Sequence, residues 1–145
     1  MTCFGRGCPA GSGGGFRRQK EDYFDVVIAD CDAAYKESDK RRYFARTSAE
    51  TLFYLLKSAS EDQPAEVLEV PCSEAHYLAA YASLDLGNVS EAEIHLTRAL
   101  HWSPVNPQYT SELAHVRQIQ KDWNSALTLF LEAEDNTKAS VSPAV

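Results

Sequence analysis

Apolar and polar positions alternate at helical spacing along most of this chain. Phe24, Val27, Ile28, Cys31, Ala34 and Tyr35 follow one another at intervals of three and four, the stripe of an amphipathic helix starting near Glu21. Phe44, Thr51, Leu52, Leu55, Leu56 and Ala59 predict a second helix over residues 41–60, with that face inward. Arg41, Arg42 and Arg46 crowd its first turns, where positive charge opposes the helix dipole, and Glu37 and Asp39 are placed to offset it. Pro64 and Pro71 then interrupt the pattern and leave room only for a short helix between them.

From residue 73 to 138 the pattern is written twice with a period of 34. Ala80 falls on Ala114, Ala92 on Ala126, Ala99 on Ala133, Leu96 on Phe130 and Ala79 on Leu113. The shared core, A-x3-[L/F]-x2-A, sets three side chains on one helix face at i, i+4 and i+7. Val27, Cys31 and Ala34 repeat that frame upstream. A fixed period of this size marks stacked units that each bury an apolar face against the next.

The ends of these segments carry their own signals. Ser73 is placed to cap the first helix, Gly87 to stop it in a left-handed turn, and Asn88 or Ser90 to cap the second. Ser103-Pro104 closes that helix, Asn106-Pro107 opens the next with a cap and a proline in its first turn, and Asp122 caps the last.

Ala92, Leu96, Ala99, Leu100 and Pro104, with Gly87 at the turn, resemble a tetratricopeptide repeat, and Ala126, Phe130 and Ala133, with Leu113-Ala114, resemble a second. The sequence departs from that family where His76 and Thr110 stand for its aromatic, Ser83 and Arg117 for its tyrosine and Lys138 for its closing proline. The resemblance implies an all-α fold: a short solenoid of about three helical hairpins, in a small protein of bacterial type. The expected organisation is a disordered basic leader (1–20), a degenerate hairpin and linker (21–72), two repeats (73–106 and 107–138) and a tail (139–145).

Charge sharpens the picture. The chain of 145 residues has net charge −7, yet residues 1–20 hold Arg6, Arg17, Arg18 and Lys20 and no acid. The remainder is therefore strongly acidic, which disfavours nucleic acid and membrane surfaces and suits a basic or polar protein partner. A basic arm with Phe4 and Phe16 leaves RNA binding as one alternative. No apolar run reaches the length of a membrane span and no apolar signal-like segment opens the chain, so a cytoplasmic location is expected. Cys31 and Cys72 then read as small buried thiols, and the Cys3/Cys8 pair lacks the further ligands of a zinc site.

Catalytic motifs are not evident: the chain carries no G-x-G-x-x-G, P-loop, G-x-S-x-G or H-E-x-x-H. His95 and His101 are six apart on one helix, so a metal site would need histidines from different helices. No enzyme activity, metal or cofactor is expected. The resemblance implies instead a scaffold or adaptor whose first helices line a concave groove for a peptide segment or helix of a partner. Tyr77, Tyr81 and Leu84 would face that groove from one repeat, and Ser111, His115 and Gln118 from the other. With Tyr77, Tyr81 and Glu112 at the places of a basic clamp, a C-terminal carboxylate is not the expected ligand. A dedicated secretion-type chaperone is the alternative within the same class. Leu127, Leu129 and Leu131 cannot all face one neighbour, so Leu127 and Leu131 mark a second candidate face, for a partner or another copy of the chain.

Overall fold

The computed structural model describes the backbone of residues 12–34 and 40–139 and the side chains of residues 22–34 and 40–138. The fold is all-α in class. Among the described residues six helices and one two-stranded sheet follow in the order α1 (Ser12–Ala34), β1 (Arg41–Phe44), α2 (Ser48–Ser60), β2 (Ala65–Leu68), α3 (Cys72–Asp85), α4 (Val89–Trp102), α5 (Pro107–Ile119) and α6 (Trp123–Ala139). Among the described residues no helix is long and apolar enough to cross a membrane.

The pairs α3/α4 and α5/α6 pack as hairpins, α4 packs on α5, and α1 packs on α3. Alanines bring the helices together. Ala80 and Ala92 meet Leu96, Leu113 and Val116 in one buried cluster, sealed by Tyr77, Leu84, Val89, Leu100 and Leu129. Arg117 of α5 and Gln120 just after that helix both reach Glu93 of α4 at 2.6 Å and tie the two hairpins together.

Gly87 closes α3 with φ 80, and the amides of Gly87 and Asn88 bond back to the carbonyls of Leu84 and Ser83 at 2.9 and 2.8 Å. This is the Schellman arrangement. Asn106 caps α5 by accepting from the amides of Gln108 and Tyr109, with Pro107 in the first turn, and Asp122 accepts from the Ser125 amide at the start of α6. Two expected caps differ. Ser73 lies inside α3, which starts after Pro71, and Asn88 stands before α4 without a capping bond from its side chain.

Upstream of α3 the structure corrects the sequence reading. Residues 41–60 are not one helix, and 65–68 are not helical. Arg41–Phe44 and Ala65–Leu68 pair as parallel strands, Arg41 opposite Ala65 and Phe44 opposite Leu68, with α2 as the crossover between them. The cause is that Tyr43 and Phe44, adjacent in sequence, are both buried in different clusters. Only the two-residue period of a strand sends neighbours to opposite faces. Tyr43 and Val67 meet Tyr54 of α2 on one face; Phe44 and Leu68 meet Trp102 of α4 on the other. Between Pro64 and Pro71 a helix would be too short to repay its nucleation, whereas pairing with β1 satisfies the backbone.

The helix α2 also buries the side opposite to the one expected. Glu50, Tyr54 and Ser58 are buried, whereas Leu52, Leu55 and Leu56 are exposed. Tyr54 stacks on Tyr43, centroids 4.7 Å apart and rings 3° from parallel, and that contact sets the helix rotation. Thr47 caps the helix by accepting from the Glu50 amide, while the Glu50 carboxylate accepts from the Arg46 amide at 2.7 Å. The expected offset of Arg41, Arg42 and Arg46 by Glu37 and Asp39 falls outside the described residues. Instead Arg42 pairs with Glu66 across the strands at 3.1 Å.

Cys31 and Cys72 are not free thiols. They form a disulfide that joins α1 to the start of α3 and encloses the β1–α2–β2 insertion. It lies in one cluster with Phe44 and Trp102, whose rings stack at 4.7 Å. The insertion is further seated by the Ser103 hydroxyl, which donates to the Phe44 carbonyl at 2.6 Å, and by Arg41, which donates to the His101 carbonyl at 2.6 Å.

At the N-terminal end, α1 begins at Ser12, inside the stretch expected to lack order. Once a helix is nucleated near Glu21, each further residue adds a bond at little entropic cost. Cys3, Cys8, Phe4, Arg6, Tyr35 and the tail beyond residue 139 lie outside the described residues, as do the side chains of Phe16, Arg17, Arg18 and Lys20.

Candidate functional site

The face shared by α3 and α5 carries a row of three tyrosines. Tyr77 and Tyr81 are one turn apart on α3, with ring centroids 6.4 Å from each other. Tyr77 stacks on Tyr109 of α5 at 5.1 Å and 28°, and its hydroxyl accepts from Gln108 Nε2 at 3.0 Å. Tyr109 is fully buried and donates its hydroxyl proton to Glu74 at 3.4 Å. Burial first, with the charge of Glu74 adding to it, pushes the Tyr109 hydroxyl well above its ordinary pKa. Tyr81, by contrast, is 54% exposed and marks the open end of the row.

The closed end is built by the insertion. Arg46 lies 6.0 Å from the Tyr109 ring centroid, donates to Gln108 Oε1 at 3.4 Å and pairs with the buried Glu50 at 3.9 Å. A residue remote in sequence thus orders the glutamine that fixes Tyr77. Glu74 and Glu112 flank the row, both half-buried. Tyr77 is itself pushed above its ordinary pKa, by burial first and by the charge of Glu112 second.

The other sequence-predicted residues divide. Leu84 turns into the core beside Leu96 and Leu113 rather than onto the open face. Ser111 is half-buried on α5. His115 is exposed, sits edge-on to Phe130 of α6 at 5.1 Å and lies 3.2 Å from Gln118 Oε1. The structure therefore joins Tyr77 and Tyr81 with Gln108, Tyr109 and Arg46, and it groups His115 and Gln118 toward α6. Tyr109 could have been noticed as a bulky residue standing where the preceding repeat has Ala75. Arg46 had no such signal.

On α6, Leu127 and Leu131 are 61% and 54% exposed and line up with Trp123 at 63%. Leu129 faces the core instead. The second candidate face is thus a row at i, i+4 and i+8.

Histidines from two helices do converge. His76 of α3 and His95 of α4 bring their Nδ1 atoms to 3.2 Å. No group of three His, Cys, Asp or Glu side chains able to hold a metal forms among the described residues. Next to the pair, a cleft of about 120 Å³ lined by Phe24, Ala79, Ser83 and His95 is too small for a typical organic ligand.

In comparisons with known proteins no family model matches this chain, and no curated protein or solved structure matches it either.

Proposed function

We propose that this protein is a non-enzymatic interaction module of the tetratricopeptide-repeat kind, a scaffold or adaptor that takes a segment of a partner protein along the α3–α5 face. The observation that carries this reading is the tyrosine row, buried and hydrogen-bonded at Tyr109 and open at Tyr81. A rigid aromatic that needs no reordering binds with little entropic loss, which is why tyrosines concentrate the energy of protein interfaces. Tyr77 is fixed by Tyr109 and Gln108 before any partner arrives. The Cys31–Cys72 bond favours an oxidising compartment over the cytoplasm expected from the sequence, because cytosolic thiols are kept reduced.

Tyr81→Ala tests the reading without disturbing the core. Proteins retained from the host extract by the natural chain should be lost by this variant, with helical circular dichroism unchanged. Retention of the same proteins by the variant rejects the α3–α5 face.

A second reading rests on the Trp123, Leu127 and Leu131 row, which supports self-association through α6. Sedimentation equilibrium of the natural chain and of Leu127→Lys decides it. A dimer that dissociates in the variant supports the reading, and a monomer in both excludes it.

A further inference from the structure

The tyrosine row is acidic as well as aromatic. Glu74 and Glu112 stand beside it, half-buried, and neither forms an ion pair among the described residues. Glu74 accepts one hydrogen bond, from Tyr109. Both carboxylates act electrostatically on the Tyr77 hydroxyl, Glu112 the more strongly. A cation brought beside a half-buried carboxylate that has no counter-charge gains a charge-assisted hydrogen bond. Tyrosine rings add their own attraction for a cation.

The molecule already uses this chemistry at one end of the row. The Arg46 guanidinium lies against Tyr109, with Glu50 as its carboxylate partner. At the other end Tyr77 and Tyr81 have Glu112 nearby, while Glu74 sits at the Tyr109 end of the row, and Glu112 forms no ion pair among the described residues. The net charge of −7 reinforces the same preference at longer range. An anionic ligand is disfavoured, since Arg46, the arginine described beside the row, is held by Glu50 and Gln108.

We propose that the open end of the row, Tyr81 and Tyr77 beside Glu112, selects a partner segment that presents a lysine or arginine side chain. This rests on the reading of the α3–α5 face as the partner-binding face. Arginine is the better fit, because its planar group stacks on a ring while bonding a carboxylate.

The test is selection of a random peptide display library on the full oxidised chain, followed by anisotropy titration of the enriched peptides. Four proteins are compared: natural, Tyr81→Ala, Glu112→Gln and Glu74→Gln. Both glutamine variants keep side-chain shape, remove the charge and exchange one acceptor oxygen for an NH2 donor. The expected result is enrichment of Lys- or Arg-containing peptides. Their affinity should fall roughly tenfold in Tyr81→Ala and in Glu112→Gln, a loss of the order of one charge-assisted contact. It should also weaken with added salt. Enriched peptides that need Tyr81 yet lack basic residues, or that bind Glu112→Gln as tightly as the natural chain, overturn the cation preference and leave the partner-binding face standing. Peptides indifferent to Tyr81, or no enrichment at all, overturn both.

Discussion

Gly87 and Lys121, one repeat length of 34 apart, occupy the same left-handed backbone position, with φ of 80 and 64. Each ends the first helix of a hairpin, and each is followed by the same pair of return bonds. Lys121 and Asp122 donate to the carbonyls of Gln118 and Arg117 at 2.9 Å, as Gly87 and Asn88 do to Leu84 and Ser83. The turn is therefore dictated by the hairpin, and the residue filling it is not. A side chain in this conformation costs on the order of 1 kcal/mol. Lys121→Gly should relieve that strain and raise stability by up to about 1 kcal/mol, less the entropy that glycine adds to the unfolded chain. Gly87→Ala has open space around its new methyl group but the wrong φ, and should lose about 1 kcal/mol. Urea unfolding of both variants should shift in opposite directions. A common direction would show that backbone strain is not what separates the two turns.

The Cys31–Cys72 disulfide closes a loop spanning 41 positions around the β1–α2–β2 insertion. By loop-closure entropy such a cross-link stabilises by roughly 3–4 kcal/mol. It also shares a cluster with the stacked rings of Phe44 and Trp102, so its loss loosens the seat of the insertion on α4. The urea midpoint should fall markedly on adding reductant, and Cys72→Ala should be low with or without reductant. Coincident curves for the natural chain in both conditions would mean that the bond is not formed.

The legible part of this fold lies where contacts are local. Ala92, Leu96 and Ala99 repeat within one helix, and their partners in α3 are reached through a short turn. All three are buried as their spacing implies. The insertion was not legible, because β1 spans four residues and over four residues strand and helix periods cannot be separated. Its identity depends on pairing with β2, across the whole of α2. The stripe Leu52, Leu55 and Leu56 is a regular amphipathic signal, yet the contact of Tyr54 with Tyr43 overrides it. The disulfide likewise depends on α1 lying against α3, a fact of tertiary packing. Of the tyrosine row, Tyr77 and Tyr81 came only through what the tetratricopeptide resemblance implies for a first helix, while Tyr109 and Arg46 arrive from other elements.

The His76 ring is buried between α3 and α4, and its pKa is pushed down to about 4, by desolvation first and by the neighbouring His95 second. Asp32 and Arg98, paired at 3.6 Å, act on it in opposite senses. An unfolded histidine titrates near 6.5. Between those values the unfolded chain binds a proton that the folded chain refuses, so stability falls as pH drops from about 6.5 toward 4. The loss is roughly 3 kcal/mol at its limit. The urea midpoint should decline between about pH 7.5 and pH 5, and His76→Phe, which keeps a ring and cannot titrate, should flatten that decline. An equal decline in the variant would assign the acid sensitivity to other groups.

The rotation of α2 about its axis has the plainest energetic consequence. Tyr54 is fully buried, stacks on Tyr43 and shares its cluster with Val67 and Val105, so it joins the insertion to the loop before α5. Removing such a ring leaves a cavity in a close-packed region, and Tyr54→Ala should cost about 3–5 kcal/mol, in the range of other large aromatic truncations. Leu52 and Leu56 are 58% and 62% exposed on the opposite side. Surface positions of this kind tolerate substitution within about 0.5 kcal/mol, so Leu56→Glu should leave the urea midpoint nearly unchanged. The order of the two effects is what matters. The amphipathic stripe alone predicts the reverse, with the leucine change severe and the tyrosine change mild, because it turns the leucines inward. One pair of denaturation curves therefore decides which face of α2 meets the protein, and with it whether the insertion is held by Tyr43 and Tyr54 or by the leucine stripe.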